Sequence, residues 1–174
     1  MRSIPFEKLG IPLSQIKEGI SHFTFVVTDL SDGIMGGDSF SRGLEVSAQC
    51  TAVGNDYLVR VEPKAECVFF CDRCGEPVKT EISGQVQTLY TFDRVKYQEA
   101  NSDDIRLLNP SEQEIDIRQD VIDSLTLSIP AKILCRDDCL GLCPRCGVNL
   151  NQKKCRCSKE ETDPRWDVLK NIKF

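Results

Sequence analysis

Four close pairs of cysteines constrain this chain more than any other feature of its 174 residues. Ten cysteines are present, and eight of them lie in pairs separated by one to three residues. The pairs are Cys71 and Cys74, Cys135 and Cys139, Cys143 and Cys146, and Cys155 and Cys157. In a reducing compartment, cysteines at such spacings are more often metal ligands than disulfides. The pattern therefore predicts zinc, which binds four thiolates in a tetrahedron at about 2.3 Å.

The rest of the sequence favours that reducing compartment. No apolar run approaches the roughly 20 residues that a membrane-spanning helix needs. Residues 1–8, Met-Arg-Ser-Ile-Pro-Phe-Glu-Lys, lack the apolar stretch of a secretory signal. Hydrophobic residues at 40% and charged residues at 28% are ordinary values for a globular protein. We therefore expect a cytoplasmic protein without a membrane partner.

The spacing predicts one or two structural zinc ions, but it does not decide how the pairs combine. Cys-x-x-Cys-Gly forms a turn that points both sulfurs inward, and Cys143 and Cys146 with Cys155 and Cys157 form the strongest single candidate. A second site could use the other two pairs and fasten the tail to the sheet. A crossed arrangement, in which Cys71 and Cys74 meet Cys143 and Cys146, is equally open. Cys50 and Cys67 lie in apolar segments and are expected to be buried.

Segments rich in strand-forming residues, two of them with period-two alternation, predict a sheet upstream of the tail. Strand-like segments cover residues 21–27, 43–53, 57–70 and 78–92, and a turn signal at 54–56 joins two of them. Residues 98–114 are acidic and rich in turn formers, which is typical of a solvated linker. A helix is expected over residues 116–128, with apolar residues at spacings of three and four. These apolar positions are Ile117, Val121, Ile122, Leu125 and Ile129.

These elements predict an α+β fold. It consists of an antiparallel meander, which could close into a barrel, with one packed helix and a C-terminal cysteine-rich appendage like a zinc ribbon. Residues 1–131 would form the mainly β domain, and residues 132–174 the zinc-binding tail. Residues 163–172 carry an Asp-Pro start and three apolar residues on one side, which predicts a short terminal helix.

Nothing in the sequence indicates an enzyme or a small-molecule substrate. The one histidine, His22, lies far from the cysteines in sequence, and no Cys/His or Ser/His arrangement with an orienting group is present. A hydrolytic zinc also keeps an open coordination position and commonly has His or carboxylate ligands. The glycine-rich residues 31–38 lack the Lys-Ser/Thr ending of a phosphate-binding loop.

Charge is distributed unevenly along the chain. Residues 1–131 carry 12 Lys and Arg against 21 Asp and Glu, whereas residues 132–174 carry 10 against 6. The basic tail could contact phosphates. Because no aromatic residues lie around these charges to stack on bases, a solvated surface explains them equally well. The candidate residues are Arg136, Arg145, Lys153, Lys154, Arg156 and Lys159.

Several motifs in register resemble the YceD family. They are Cys-Leu-Gly-Leu-Cys-Pro-Arg-Cys-Gly-Val-Asn-Leu-Asn over residues 139–151, Cys-Arg-Cys over 155–157, Asp-Pro-Arg-Trp-Asp-Val-Leu-Lys over 163–170, Cys-Asp-Arg-Cys-Gly-Glu-Pro-Val over 71–78 and Leu-Ser-Ile-Pro over 127–130. The resemblance covers residues 43–174. It implies a bacterial or plastid factor that supports accumulation of the 23S ribosomal RNA, with rRNA or ribosomal proteins of the precursor large subunit as partners.

Two other hypotheses compete with this one. A Cys-x-Cys beside a Cys-x-x-Cys also occurs in redox-regulated zinc chaperones, although the order here is reversed and the gap is shorter. A zinc-stabilised protein-protein adaptor is the other alternative. In an adaptor, Trp166 would be exposed as an interface anchor rather than packed against the domain.

Overall fold

The computed structural model describes residues 2–28, 43–100 and 104–157, and in it strands predominate over helices. The strands are β1 (Arg2–Ile4), β2 (Gly10–Pro12), β3 (Gly19–Val27), β4 (Leu44–Val53), β5 (Asp56–Phe70), β6 (Pro77–Ser83), β7 (Val86–Thr91), β8 (Ile105–Leu107) and β9 (Glu114–Asp116). The helices are α1 (Arg94–Ala100) and α2 (Arg118–Leu127). The glycine-rich segment 31–38, the expected terminal helix, Lys159 and Trp166 lie outside the described residues.

Seven strands form one mixed sheet in the order β1-β3-β4-β5-β7-β8, with β6 also paired to β5. The meander expected from the sequence is present, because β3, β4, β5 and β6 pair in antiparallel succession. The two outer strands, β1 and β8, pair in parallel with their neighbours. The expectation of a barrel-like closure is wrong, because the path ends at two different strands that do not pair with each other in the described part of the chain.

The long strand β5 divides the sheet into two arms. Its first part, from Asp56 to Val61, pairs with β7, and its second part, from Lys64 to Phe70, pairs with β6. Pro63 lies at the change of partner, where a residue without an N–H group leaves no donor unpaired. The single strand expected over residues 78–92 is therefore two strands. They separate at Gly84, where any Cβ would overlap the backbone of Ser124 on α2.

One face of the sheet packs under α2. Val46 and Cys50 of β4 and Val61 of β5 are fully buried, as are Val121 and Leu125 of the helix. The predicted apolar helix face is thus confirmed at its centre. Cys50 and Cys67 are also buried, as expected, and burial raises the pKa of the Cys50 thiol to about 11. At neutral pH this thiol is protonated and shielded inside the core.

A buried carboxylate fastens α2 to the sheet. Asp120 is fully buried and accepts a hydrogen bond from the hydroxyl of Thr88 at 3.0 Å and another from Tyr90. Arg106 of β8 lies 2.8 Å from the same carboxylate. Burial raises the pKa of Asp120, against the hydrogen bonds and the guanidinium, which lower it. Polar side chains from three residues of β7 and β8 therefore converge on one acidic side chain of α2.

The segment expected to be a linker contains regular structure. The carboxylate of Asp93 accepts the N–H groups of Val95 and Lys96, at 2.9 and 3.2 Å, and so begins α1. Shortly after α1, β8 pairs in parallel with β7. The helix expected over 116–128 begins two residues later, at Arg118, and the carboxylate of Asp116 accepts the Arg118 N–H at 3.0 Å. No helix in the described ranges is both long and apolar enough to cross a membrane.

Candidate metal centres

The first centre joins the end of the β5–β6 turn to the segment that follows α2. It consists of Cys71, Cys74, Cys135 and Cys139, whose sulfurs all lie within 4.8 Å of one another. The Cys71 and Cys139 sulfurs are 3.8 Å apart, and those of Cys74 and Cys135 are 3.6 Å apart. Cys71, Cys74 and Cys139 are buried, whereas Cys135 is exposed.

The second centre is built within 15 residues of the tail. It consists of Cys143, Cys146, Cys155 and Cys157, again with all sulfurs within 4.8 Å of one another. The sulfur of Cys155 lies 3.2 Å from that of Cys143 and 3.6 Å from that of Cys146. Only Cys143 is buried, and Cys146 and Cys157 are exposed. The structure therefore has the uncrossed arrangement of the pairs.

Both Cys-x-x-Cys-Gly turns fold in the same way. In the first, the N–H of Gly75 donates to the carbonyl of Cys71 at 2.8 Å, and in the second the N–H of Gly147 donates to that of Cys143 at 2.9 Å. The glycines have φ angles of 71° and 70°, a left-handed conformation that strains other residues. Each first cysteine also donates its own N–H to the carbonyl five residues ahead, in Glu76 and Val148 respectively.

The arrangement of the sulfurs fits a tetrahedral metal. Four thiolates at about 2.3 Å from a zinc ion would lie about 3.8 Å from one another, close to the distances in both centres. All ten cysteines are free, and these sulfur separations greatly exceed the roughly 2.05 Å of a disulfide bond. Four sulfurs fill the coordination of a closed structural site and leave no position for a reacting water.

In each turn, hydrogen bonds to the sulfur of the first cysteine stabilise its thiolate form. Burial by itself would raise the pKa of Cys71, but backbone N–H groups of three nearby residues donate to its sulfur, and the pKa falls to about 6. For Cys143, donation from the N–H groups of Cys146 and Arg145 is the main cause of a pKa also lowered to about 6. Since metals bind the thiolate, these donors reduce the competition from protons.

The two centres are connected by contacts that spacing alone does not reveal. Arg73, inside the first turn, donates to the carbonyl of Cys139 at 2.7 Å. The side-chain amide of Asn151, which lies between ligands of the second centre, donates to the sulfur of Cys139 at 3.3 Å. Gln152 donates to the carboxylate of Glu76 at 2.9 Å. The loop of the second centre therefore supports the ligands of the first.

Sequence reasoning missed Asn151 and Glu76 as supporting residues. Both are polar residues close in sequence to ligand cysteines, which is the one signal that could have identified them. Of the basic candidates, Arg136 is engaged locally, because it donates to Asn151 at 2.8 Å and pairs with Asp138 at 3.3 Å. Lys153, Lys154 and Arg156 are exposed on the second centre. His22 is exposed on β3, a strand that supplies no residue to either centre.

Comparison with known proteins gives a consistent result. A family model described as large ribosomal RNA subunit accumulation protein YceD matches residues 59–173. An uncharacterized protein of Mycobacterium tuberculosis is 31% identical over 126 residues, which are 72% of this chain and 60% of the relative. The chain thus spans about 60% of the length of this relative. No solved structure matches the chain.

Two plant relatives carry a functional name. The large ribosomal RNA subunit accumulation protein YCED homolog 1, chloroplastic, of Arabidopsis thaliana is 39% identical over 64 residues, which are 37% of this chain and 20% of the relative. The protein of the same name from Zea mays is 28% identical over 114 residues, covering 50% of this chain and 39% of the relative. The family match includes all eight cysteines of the two centres and more than half of the chain. The chain belongs to the YceD family of large ribosomal RNA subunit accumulation proteins.

Proposed function

We propose that this protein is a non-enzymatic assembly factor that supports accumulation of the 23S ribosomal RNA and of the large ribosomal subunit. The observation that carries this proposal is the family match over residues 59–173, which contains both cysteine centres. Precursor large-subunit rRNA or ribosomal proteins that join it early are the proposed partners. The proposed place of action is the cytoplasm, where thiols stay reduced.

Each centre is proposed to hold one zinc ion with a structural role. Bound zinc would supply a closed four-thiolate cross-link rather than a Lewis acid for a substrate. The residues of the chain do the remaining work. The glycine turns aim the sulfurs, Arg73 and Asn151 fix the Cys139 segment, and Glu76 receives the loop of the second centre. Residues 132–157 would then act as a zinc-ribbon-like appendage to the sheet.

Depletion in the organism that encodes the chain tests the proposal. We expect the ratio of 23S to 16S rRNA to fall, and sucrose gradients to show fewer free large subunits and complete ribosomes. A plasmid copy of the wild-type gene should restore both. Unchanged large-subunit rRNA after verified depletion would overturn the proposed function.

Metal content is measured on the same protein. Elemental analysis of chain purified without chelator should give two zinc ions per molecule, and Cys71→Ser with Cys74→Ser should reduce this to one. The double variant should also fail to restore 23S rRNA in depleted cells. A metal content near zero in the wild type, with disulfides that a reductant removes, would contradict the zinc assignment.

A further inference from the structure

The second centre has an unusual local charge. From residue 139 to residue 157 the chain contains four basic residues and neither aspartate nor glutamate. The basic residues are Arg145, Lys153, Lys154 and Arg156. Even with a charge of about −2 for a zinc ion bound by four thiolates, the segment keeps a net positive charge.

The turns of the first centre are different. Asp72 and Glu76 accompany the first cysteine pair, and Asp137 and Asp138 lie inside the second pair. The basic residues there are occupied by contacts within the protein, as the Arg73 contact with Cys139 and the Arg136 contact with Asp138 show. Positive charge that is open to a partner is therefore concentrated on the second centre.

Three of these basic side chains have no acidic partner within the described residues. Lys153, Lys154 and Arg156 are exposed, and none of them forms an ion pair with any residue in the described ranges. Charged side chains that lack a partner within the protein attract an external anion, and a fixed backbone lowers the conformational entropy lost on binding. Their loop is fixed, because the N–H groups of Gln152 and Lys153 donate to the carbonyl of Asn149 at 3.1 and 3.0 Å.

The composition of the loop indicates which part of a nucleic acid it would contact. Residues 139–157 include no aromatic side chain on which a base could stack. Lysine and arginine contacts to phosphates supply affinity and position, but they carry no sequence information by themselves. An RNA bound here would therefore be held by its backbone, with little preference for sequence and a strong dependence on salt.

We propose that the basic loop of the second centre, formed by Lys153, Lys154 and Arg156, binds the phosphate backbone of large-subunit ribosomal RNA. This inference rests on the proposed function, which supplies the RNA as the polyanion. It adds the surface, the chemical group that is recognised and the mode of recognition. An acidic ribosomal protein is the competing partner, and the experiment distinguishes the two.

The test measures binding of the zinc-loaded full chain to a fluorescein-labelled 20-base-pair RNA duplex by anisotropy, between 50 and 200 mM KCl. The variant Lys153→Gln, Lys154→Gln, Arg156→Gln removes three charges. A matched control, Lys8→Gln, Lys17→Gln, Lys79→Gln, removes three exposed charges from the sheet side. We expect the slope of log K against log salt to fall by roughly 2 to 3 in the loop variant, and its affinity to fall at least about tenfold at 100 mM KCl.

The control should stay within about twofold of the wild type, because its charges do not meet the RNA. Equal losses in both variants, or an unchanged slope in the loop variant, would overturn the proposal. The double variant Lys153→Gln, Lys154→Gln keeps Arg156 between its two cysteines and should show about two-thirds of the change in salt slope seen in the triple variant. It therefore serves as the test if the triple variant loses its zinc.

Two further readouts separate this inference from the proposed function. If the loop variant keeps the wild-type salt slope but no longer sediments with precursor large subunits, its charges meet an acidic protein and the RNA assignment is wrong. If rRNA levels stay unchanged after depletion, the proposed function is wrong, whatever the anisotropy measurement shows. If the loop variant restores normal rRNA levels in depleted cells, only the proposed RNA-binding surface is wrong.

Discussion

The two centres share one turn geometry but connect different parts of the chain. In the first, paired sulfurs come from residues 61 and 68 positions apart, and three of the four cysteines are buried. In the second, all four ligands lie between Cys143 and Cys157, and only one is buried. The first centre therefore closes a long loop and fixes the tail to the sheet, whereas the second shapes a small exposed surface.

This difference predicts unequal contributions to stability. A cross-link over about 60 residues removes about 4 kcal/mol of conformational freedom from the unfolded chain in the loop-entropy model. The second centre can still collect a metal in the unfolded chain, because its ligands are neighbours in sequence. A metal that binds both states adds less to stability than one that binds only the folded state.

The largest expected effect therefore comes from Cys139→Ser in the first centre. It should lower the free energy of unfolding by about 4 kcal/mol, measured by urea denaturation of zinc-loaded protein followed by circular dichroism. Cys157→Ser should cost about 1 kcal/mol, although both variants remove one ligand. Equal costs would show that exposure and loop length do not distinguish the two centres.

A variant in the core sharpens the comparison, because it should destabilise the fold without removing a metal. Asp120→Ala leaves Thr88, Tyr90 and Arg106 without their buried acceptor, so we expect a loss of about 2 to 3 kcal/mol. Zinc content should remain at two ions per chain by elemental analysis. The neighbouring Asp123→Ala, which removes a 48% exposed side chain, serves as control and should cost less than about 0.5 kcal/mol. Zinc loss in Asp120→Ala would show that both centres depend on the core.

The smallest expected effect concerns the contact between the centres. Asn151→Ala removes the donor to the Cys139 sulfur, and we expect the first centre to lose about tenfold in zinc affinity. Competition with a chromogenic chelator, in a Cys157→Ser background that isolates the first centre, gives this value. Gln152→Ala, which loses a contact only to Glu76 among the described side chains, should change it about twofold or less. Identical affinities for all three proteins would mean that the second loop does not support the first centre.

Local patterns predicted much of this molecule because they depend on near neighbours. Spacings of three and four identified the buried face of α2, and alternation identified β4 and the first part of β5. The same approach failed for β8, which has only three residues and depends on pairing with β7. Pro63 did not predict the change of partner along β5, because its missing N–H group matters only where a strand changes partner.

The candidate centres show the same limit. Sequence identified all eight cysteines that the structure gathers into two groups, but it left the pairing open. The pairing depends on Asp72 and Ile133, whose backbones are joined by a 2.9 Å hydrogen bond from the N–H of Asp72. The carboxylate of Asp72 accepts the N–H of Ile133 at 2.6 Å. Contacts between residues 61 positions apart follow from the path of the whole chain, which no local motif encodes.

The two centres join cysteines at different separations along the chain, and this difference sets the order in which the centres form during folding. A 15-residue segment closes on itself within tens of nanoseconds to microseconds, whereas the first centre must wait until the sheet and α2 have brought Cys71 and Cys135 together. The second centre can therefore capture its ion from a chain that is still unfolded, and the first completes the fold last. If both centres hold zinc as proposed, a cell short of zinc would accumulate chains in which the second centre has formed and the first has not.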